Sequence, residues 1–465
     1  MSLDRTDVGA EQAQILKFPP VGPEAFRPAG EVPIVATPLV DAMIQQSKKL
    51  DLLSKYKSEF DWSPLRGLEV RTKDKPIRGG IVFRSPFKLV NSHSTCQQCL
   101  YSFEVDTYGR GCVHNCVYCY AKAELTVHGY WNNPYPVPVD LNEIRKTFYS
   151  VFETDKKSKW RDIMEKRIPI RIGSMSDSFM WMDDKFKVTQ EFLKILDFYD
   201  YPFVVFTRSD LIARDDYLSL IRKDLAAIQF SMSSTNDEMN RKIEPGAPSA
   251  KRRLKALEKI TKAGYWTTVR VNPLFPIYPD GYFSDPSFKW DGPVPKFDYS
   301  SFDIVDEIAD AGVPAMLTGF GRFSSFSLNQ IEKATGFDLR QMYNQDTKKS
   351  SRDFHFSDRE IRHYYQEMKN RCIKRGVQFT TCYIGNGEGH FWKDQDLWSN
   401  KKDCCNIQSR VKAFDLDSRQ IPFETRLKFT GHKNAVPTSE RLHDGLGGTN
   451  DSPIDAGTAE LRLDR

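Results

Sequence analysis

Gly109-Arg110-Gly111-Cys112-Val113-His114-Asn115-Cys116-Val117-Tyr118-Cys119-Tyr120 sets three thiols in one tight loop at C-x3-C-x2-C spacing. No fourth cysteine occurs in the run. Thiolates are soft ligands that select iron–sulfur clusters or zinc. Three ligands offered to a four-iron cluster leave one iron open, and an open iron can take a substrate or cosubstrate. The alternative is a structural zinc loop borrowing a distant fourth ligand, although zinc sites usually pair two C-x2-C units.

The flanking sequence alternates short apolar runs with amphipathic stretches. Strands are expected at Ser102–Thr107, Ile168–Gly173, Phe203–Phe206, Ala226–Ser231, Trp266–Val271, Ala315–Thr318 and Val377–Tyr383. Helices are expected over 140–153, 187–198, 209–223, 249–263, 301–311 and 357–375. The last is the best marked: Ser357 and Glu360 form a capping box, Ile361, Tyr364, Met368 and Cys372 share a face, and Gly376 closes it. The 249–263 helix has Ser249 as N-cap, Leu254, Leu257 and Ile260 as its buried stripe, and Gly264 as its stop. Strands alternating with helices imply an α/β fold of parallel βαβ units, an open sheet or a partial barrel. Such sheets carry their sites at the C-terminal strand ends, which places the cysteine loop at the mouth.

Length and composition set the outer bounds. The 465 residues suit one large α/β domain with extensions, and 40% hydrophobic and 12% aromatic residues supply a sizeable core. No apolar run approaches a membrane span, and nothing reads as a signal peptide. Nine cysteines, three in a metal-type motif, point to a reducing cytoplasm rather than a disulfide scaffold. Residues 1–75 form a Pro-rich extension (Pro19, Pro20, Pro23, Pro28, Pro33, Pro38) with a short helix near 38–57. The tail over 429–465 has the polar, Gly/Ser/Pro-rich composition of a disordered end.

Polar groups recur at the ends of successive strands: Gly173, Ser174 and Asp177, then Thr207-Arg208-Ser209, then Ser231 to Thr235, then Arg270 to Pro273. Helix capping explains any one of them as well as function does. Their repetition on successive strands is what points to a site.

With these residues in view, the chain resembles the radical S-adenosylmethionine (radical SAM) superfamily, and within it the spore photoproduct lyase-like, or DNA repair photolyase, group. The resemblance rests on Tyr108 to Lys122, on Phe206 to Ser209 with Arg214-Asp215, and on Phe230 to Asp237 with Arg241 to Ser249, Arg253-Leu254, Ala263-Gly264 and Val269 to Pro273. It covers roughly residues 100–320 and fades toward 410. It implies a partial (β/α)6-type radical SAM barrel with its core at 76–320, completed by 321–428.

It also implies a [4Fe–4S] cluster on Cys112, Cys116 and Cys119, with SAM at the open iron. Gly173, Ser174, Asp177, Ser231 and Arg270 would lie along the cofactor. Arg208 would stand where the family commonly has a lysine on the SAM carboxylate, offering a bidentate fork instead. Tyr118 and Tyr120 would relay hydrogen or simply pack over the cluster.

One departure stands out. The lyase donates hydrogen from a cysteine downstream of its cluster loop, whereas here no cysteine occurs between Cys119 and Cys372. That favours isomerisation or hypermodification of a modified thymine in DNA, as in viral systems, over photoproduct repair. Such a rearrangement would return hydrogen from 5′-deoxyadenosine itself. Basic clusters at Lys156 to Arg161, at Lys251-Arg252-Arg253 and at Lys401-Lys402, with aromatics such as Trp131, Tyr135, Trp181, Tyr282, Phe283, Trp290 and Trp392, suit a DNA partner that gives up a flipped base. For any single cluster a solvated helix face is the more common case.

Cys96, Cys99, Cys382, Cys404 and Cys405 could hold a second cluster or zinc, or be buried thiols. His114 is expected to orient backbone rather than bind metal. The loop Gly385 to His390, with Glu388, is expected over the mouth. Radical chemistry on a peptide, tRNA or small metabolite, and a non-catalytic metal-bearing nucleic-acid binder, are the competing classes. An enzyme would also need an external electron donor.

Overall fold

The computed structural model describes residues 71–72, 75–76, 86–89, 101, 103–127, 131, 136–278, 296–343, 347–349, 353–382, 394–400, 403–408 and 410–414. The proline-rich extension with its 38–57 helix, Cys96 and Cys99, the 385–390 loop, Lys401-Lys402 and the 429–465 tail lie outside them, as do Tyr135, Tyr282, Phe283, Trp290 and Trp392.

The main sheet contains β1 (Phe87–Leu89), β2 (Phe103–Val105), β3 (Ile170–Ile172), β4 (Phe203–Thr207), β5 (Ala226–Ser231), β6 (Trp266–Leu274), β7 (Ala315–Phe320) and β8 (Gln378–Thr381). They lie side by side in chain order. β1 pairs antiparallel with β2, and β2 to β8 are all parallel. Six crossovers therefore join seven parallel strands, the architecture of a partial (β/α)6 barrel. Each expected strand is present, trimmed or extended by a few residues.

The strands are legible because both faces are buried. On β4 and β5, Phe203, Val205, Ala226, Ile228 and Phe230 face the large core under the helices. Val204, Phe206 and Ala227 face a second, smaller cluster. The outer layer is built by α1 (Tyr120–Val127), α2 (Leu141–Phe152), α3 (Val188–Phe198), α4 (Asp237–Ile243), α5 (Ala250–Lys262), α6 (Ile304–Asp310), α7 (Ser325–Thr335) and α8 (Asp358–Arg375). Each core Leu, Ile or Phe so buried contributes about 1.5–3 kcal/mol. The opposite, concave face is covered by a C-terminal segment, with Trp398, Cys404, Cys405, Ile407, Val411 and Phe414 packed against Val204, Ala227 and Leu317.

α8 carries the expected capping box, and Gly376 ends it in the left-handed region at φ 67°. Two helix expectations need correction. Over 209–223 there is a 3-10 turn at Asp210–Ala213 and a single α turn at Asp215–Leu218, separated by extended Arg214 (ψ 147°). Ser209 caps the first turn through Leu211 N–H, local bonding that competes with a continuous helix. In α5 the buried set is Ala250, Arg253, Ala256, Leu257 and Ile260, while Leu254 is only half-buried. The helix is rotated because Arg253 has a buried carboxylate partner in Glu244.

Candidate active site

The cysteine loop leaves the sheet after β2 and returns into α1. Arg110 (φ 58°) and Asn115 (φ 47°) adopt left-handed conformations that let it turn tightly. Three contacts fasten it to neighbouring loops: Val117 N–H donates to Ile243 O (2.9 Å), Gly246 N–H to His114 O (3.0 Å), and Ser176 Oγ to Gly111 O (2.9 Å). His114 is a brace, as expected, with Nδ1 at 3.1 Å from Gly246 O and Nε2 at 3.1 Å from Asp177.

Cys112 and Cys116 sit in a setting that disfavours a bare thiolate. Burial pushes Cys112 up to about 12, with Asp177 adding to the effect. Burial also raises Cys116, although the Arg208 guanidinium opposes it. Cys119 Sγ receives the Lys122 backbone N–H at 3.5 Å, and Lys122 Nζ is tied to Asn115 (2.9 Å).

Arg208, just past β4, points Nη1 at Cys116 Sγ (3.1 Å), at Tyr118 Oη (2.7 Å) and at Glu244 (2.7 Å). Its Nε and Nη2 edge has no acceptor among the described residues. Glu244 is wholly buried. It receives the Tyr118 hydroxyl, pairs with Arg208 and is salt-bridged to Arg253. Burial would keep its carboxyl neutral, but Arg253 and Arg208 hold it down at about 2. Tyr118 packs edge-on against Phe275 (centroids 5.4 Å), and burial raises its phenol. Tyr120 differs from it: 55% exposed, it opens α1 and donates to Ser174 O (3.0 Å).

The strand-end residues diverge in role. Gly173 (φ 90°) lies where a Cβ would sit 2.2 Å from Phe206 O, so β3 and β4 can meet there only through glycine. Asp106 Oδ1 accepts from Ser174 N–H (2.6 Å) and Oδ2 from Met175 N–H (3.1 Å), fixing that loop. Asp177 is fully engaged by the protein, accepting from His114, Thr207, Arg208 N–H (2.8 Å) and Phe179 N–H (2.9 Å). Through these bonds Asp177 braces the cysteine loop against the ends of β3 and β4. Ser231, at the end of β5, is the register partner of Arg270, midway along β6. Arg270 donates to Gln229 (2.8 Å) and lies 4.3 Å over the Phe206 ring, on the concave face.

Two surface expectations change. Arg161 serves carbonyls at the end of α2, including Val151 O and Ser150 O at 2.7 Å, and Trp160 is buried. Of that cluster Lys156, Lys157 and Lys159 remain exposed. Arg253 is buried, leaving Lys251 and Arg252 outside. Among the exposed aromatics is Trp181, at 46%.

Cys382, Cys404 and Cys405 share the small concave-face cluster. Among the described residues no three Cys, His, Asp or Glu side chains converge on one ion, and a second metal site gains no support there. Sequence reasoning missed Asp106, Glu244 and Gly246. The last two stand in the Arg241–Ser249 motif, whose proline and glycine pattern signalled a fixed loop without naming a role.

Spore photoproduct lyase, solved with bound AdoMet and dinucleoside spore photoproduct, aligns at 19% identity and TM-score 0.43, over 63% of this chain and 81% of that one. The Streptococcus suis protein SuiB, solved with its precursor peptide SuiA, aligns at 12% identity and TM-score 0.29, over 50% and 45%. An uncharacterized protein of Methanocaldococcus jannaschii is 28% identical over 170 residues, 36% of this chain and 58% of its own length. The chain thus spans less than two thirds of that relative. Among the described residues no helix is long and apolar enough to cross a membrane. The family model of the radical SAM superfamily matches residues 107–285, which contain the cysteine loop, β3 to β6 and the Arg208–Glu244 network, and through that stretch the chain carries a radical SAM superfamily domain.

Proposed function

We propose that Cys112, Cys116 and Cys119 hold a [4Fe–4S] cluster, with SAM beside it, and that the chain acts on a thymine-derived base in DNA. The observation that carries the cofactor part is Arg208: one nitrogen against Cys116 and a free guanidinium edge beside it. The buried thiols fit a cluster, since a cation must accompany their ionisation there. When bound, the cluster supplies the electron that cleaves SAM to methionine and a 5′-deoxyadenosyl radical.

The chain's own residues then bind and exclude. The free edge of Arg208 takes the SAM carboxylate, and the Gly173–Ser174 turn walls the cofactor. Tyr118 shields Cys116 from water and holds its hydroxyl proton against Glu244 Oε1. Ser231 and Arg270 lie along the cofactor, and exposed Tyr120 offers a ring for a flipped base to stack on.

The reaction class rests on the motif resemblance and on the absence of cysteine between Cys119 and Cys372. Cys404 and Cys405 do reach the concave face, but they lie buried at the level of Gln229 and Arg270. Isomerisation or hypermodification of modified thymine therefore remains the favoured reading, and lyase-type repair the second, favoured by the motifs alone. An external one-electron donor and a cytoplasmic setting complete it. In this reading the core comprises 76–320 and is completed by 321–428; the place of β8 in the main sheet supports a C-terminal completion.

Anaerobic reconstitution with SAM and dithionite tests the cofactor part. A brown protein releasing 5′-deoxyadenosine supports it, and zinc alone, or iron without SAM cleavage, overturns it. DNA carrying modified thymine with deuterium at the methyl position tests the rest. Label appearing in 5′-deoxyadenosine and returning to product marks isomerisation, and wash-out to solvent marks a thiol donor. No transfer from any DNA, with transfer from a peptide, tRNA or metabolite, removes the DNA reading while leaving the enzyme.

A further inference from the structure

Cys404 and Cys405 are adjacent in sequence, 8% and 5% exposed, with sulfurs 4.0 Å apart. Neighbouring thiols commonly point to opposite sides of the chain. Here the 403–407 segment forces them together. Asp403 accepts from Ile407 N–H (3.0 Å), Gln408 N–H (2.8 Å) and the Tyr101 hydroxyl (2.7 Å), and Asn406 turns the backbone at φ 61°. The pair's own carbonyls are clamped to two strands. Thr380 Oγ1 donates to Cys404 O (2.6 Å), and Gln229 Nε2 donates to Cys405 O (3.0 Å). Gln229 in turn accepts from Arg270 Nη1.

We propose that Cys404 and Cys405 form a thiol–disulfide modification site on the floor of the barrel, oxidised by a small peroxide to a disulfide between adjacent residues and restored by small thiols. One sulfur attacks a peroxide oxygen, giving a sulfenic acid and water. The neighbouring thiol then displaces the second water and the S–S bond forms. Two thiols and one hydrogen peroxide thus become one disulfide and two waters. Two small thiols then restore both cysteines by exchange, leaving as their own disulfide.

Cys405 is the attacking sulfur. The hydrogen bond from Cys404 draws its thiol below the ordinary value, and Arg270 acts in the same direction against burial and Asp403. Closing from 4.0 Å to a bond of about 2.0 Å turns the 404–405 backbone. Both carbonyl clamps then shift, and Gln229 carries the change to Arg270. This inference stands on the concave-face geometry and is independent of what the cysteine loop binds.

The test uses the intact full chain. Trypsin cleaves after Lys402 and Arg410, so one peptide, 403–410, contains both cysteines. The chain is treated with hydrogen peroxide, quenched, alkylated under denaturing conditions, digested and weighed. The expected product is that peptide without alkyl groups and two hydrogens lighter than its reduced form, returning to doubly alkylated after dithiothreitol. Continued double alkylation, a cross-link to Cys382, or separate sulfinic acids would each overturn the proposal. Cys404→Ser should replace the disulfide with a trapped sulfenic acid on Cys405. If that variant does not fold, the wild-type peptide masses still decide.

Discussion

Gly246→Ala is a small change with a large expected effect. An added Cβ would lie 1.9 Å from Val113 O, 2.9 Å from Val113 C and 3.0 Å from His114 Cα, all backbone of the cysteine loop. Gly246 has no positive φ, so alanine suits its own backbone and the conflict is purely spatial. Reaching ordinary contact requires the two loops to part by about 1–1.5 Å, a separation that removes rather than strains neighbours in a close-packed interior. Two hydrogen bonds cross the same gap, Gly246 N–H to His114 O and His114 Nδ1 to Gly246 O. Each is worth about 0.5–1.5 kcal/mol. Overpacking costs about 1–3 kcal/mol, and the stiffer unfolded chain offsets about 0.4–1 kcal/mol. The net expectation is a loss of about 1–5.5 kcal/mol, read by anaerobic denaturant unfolding. Because the displaced residues lie between Cys112 and Cys116, iron and sulfide per chain should fall together with stability. A variant that keeps both its full iron content and its unfolding midpoint would refute the argument that this contact positions the thiols.

Arg208→Ala should leave reconstitution largely intact but weaken SAM binding at least tenfold in equilibrium dialysis; unchanged affinity would take the carboxylate role from Arg208. Glu244 is held at about 2 against an ordinary 4.5, so its ionisation stabilises the fold above pH 4.5 and that contribution fades as pH drops toward 2. The span corresponds to about 3 kcal/mol, and Glu244→Gln should flatten the acid limb of unfolding free energy by that order; parallel limbs would contradict it. Tyr118→Phe keeps the packing on Phe275 and removes the hydroxyl between Arg208 and Glu244. SAM cleavage should persist while hydrogen transfer to or from substrate slows, measured as 5′-deoxyadenosine per product; an unchanged ratio would reduce Tyr118 to a packing residue.

The parallel strands were readable because each is a short apolar run with both faces covered, and α8 because its cap, stripe and stop all agree. The failures have physical causes too. Over 209–223 the apolar spacing suggested one helix, yet Ser209 bonding to the next turn and the extended Arg214 broke it in two. α7 was missed although Ser324 caps it and Gly336 ends it, since its buried set is only Ser327, Leu328 and Ile331. The C-terminal cover over the concave face has no periodicity to read: its contacts run through backbone carbonyls, such as Cys405 O to Gln229 across 176 residues.

The candidate site divides along the same line. A ligand loop is compact in sequence, so its three thiols were visible at once. Its electrostatic support is not compact. Glu244 meets Arg253 nine residues away, Arg208 at 36 and Tyr118 at 126. Read locally, Arg253 belonged to a basic surface run and Glu244 to an unassigned loop. Brought together, each cancels the burial cost of the other, and a buried partner removed alone typically costs about 3–5 kcal/mol. That mutual dependence also explains the rotation of α5, because turning Leu254 inward would strand the carboxylate that holds Arg208 against Cys116. The helix face and the cysteine site are therefore one choice, made by an ion pair that neither stretch of sequence contains by itself.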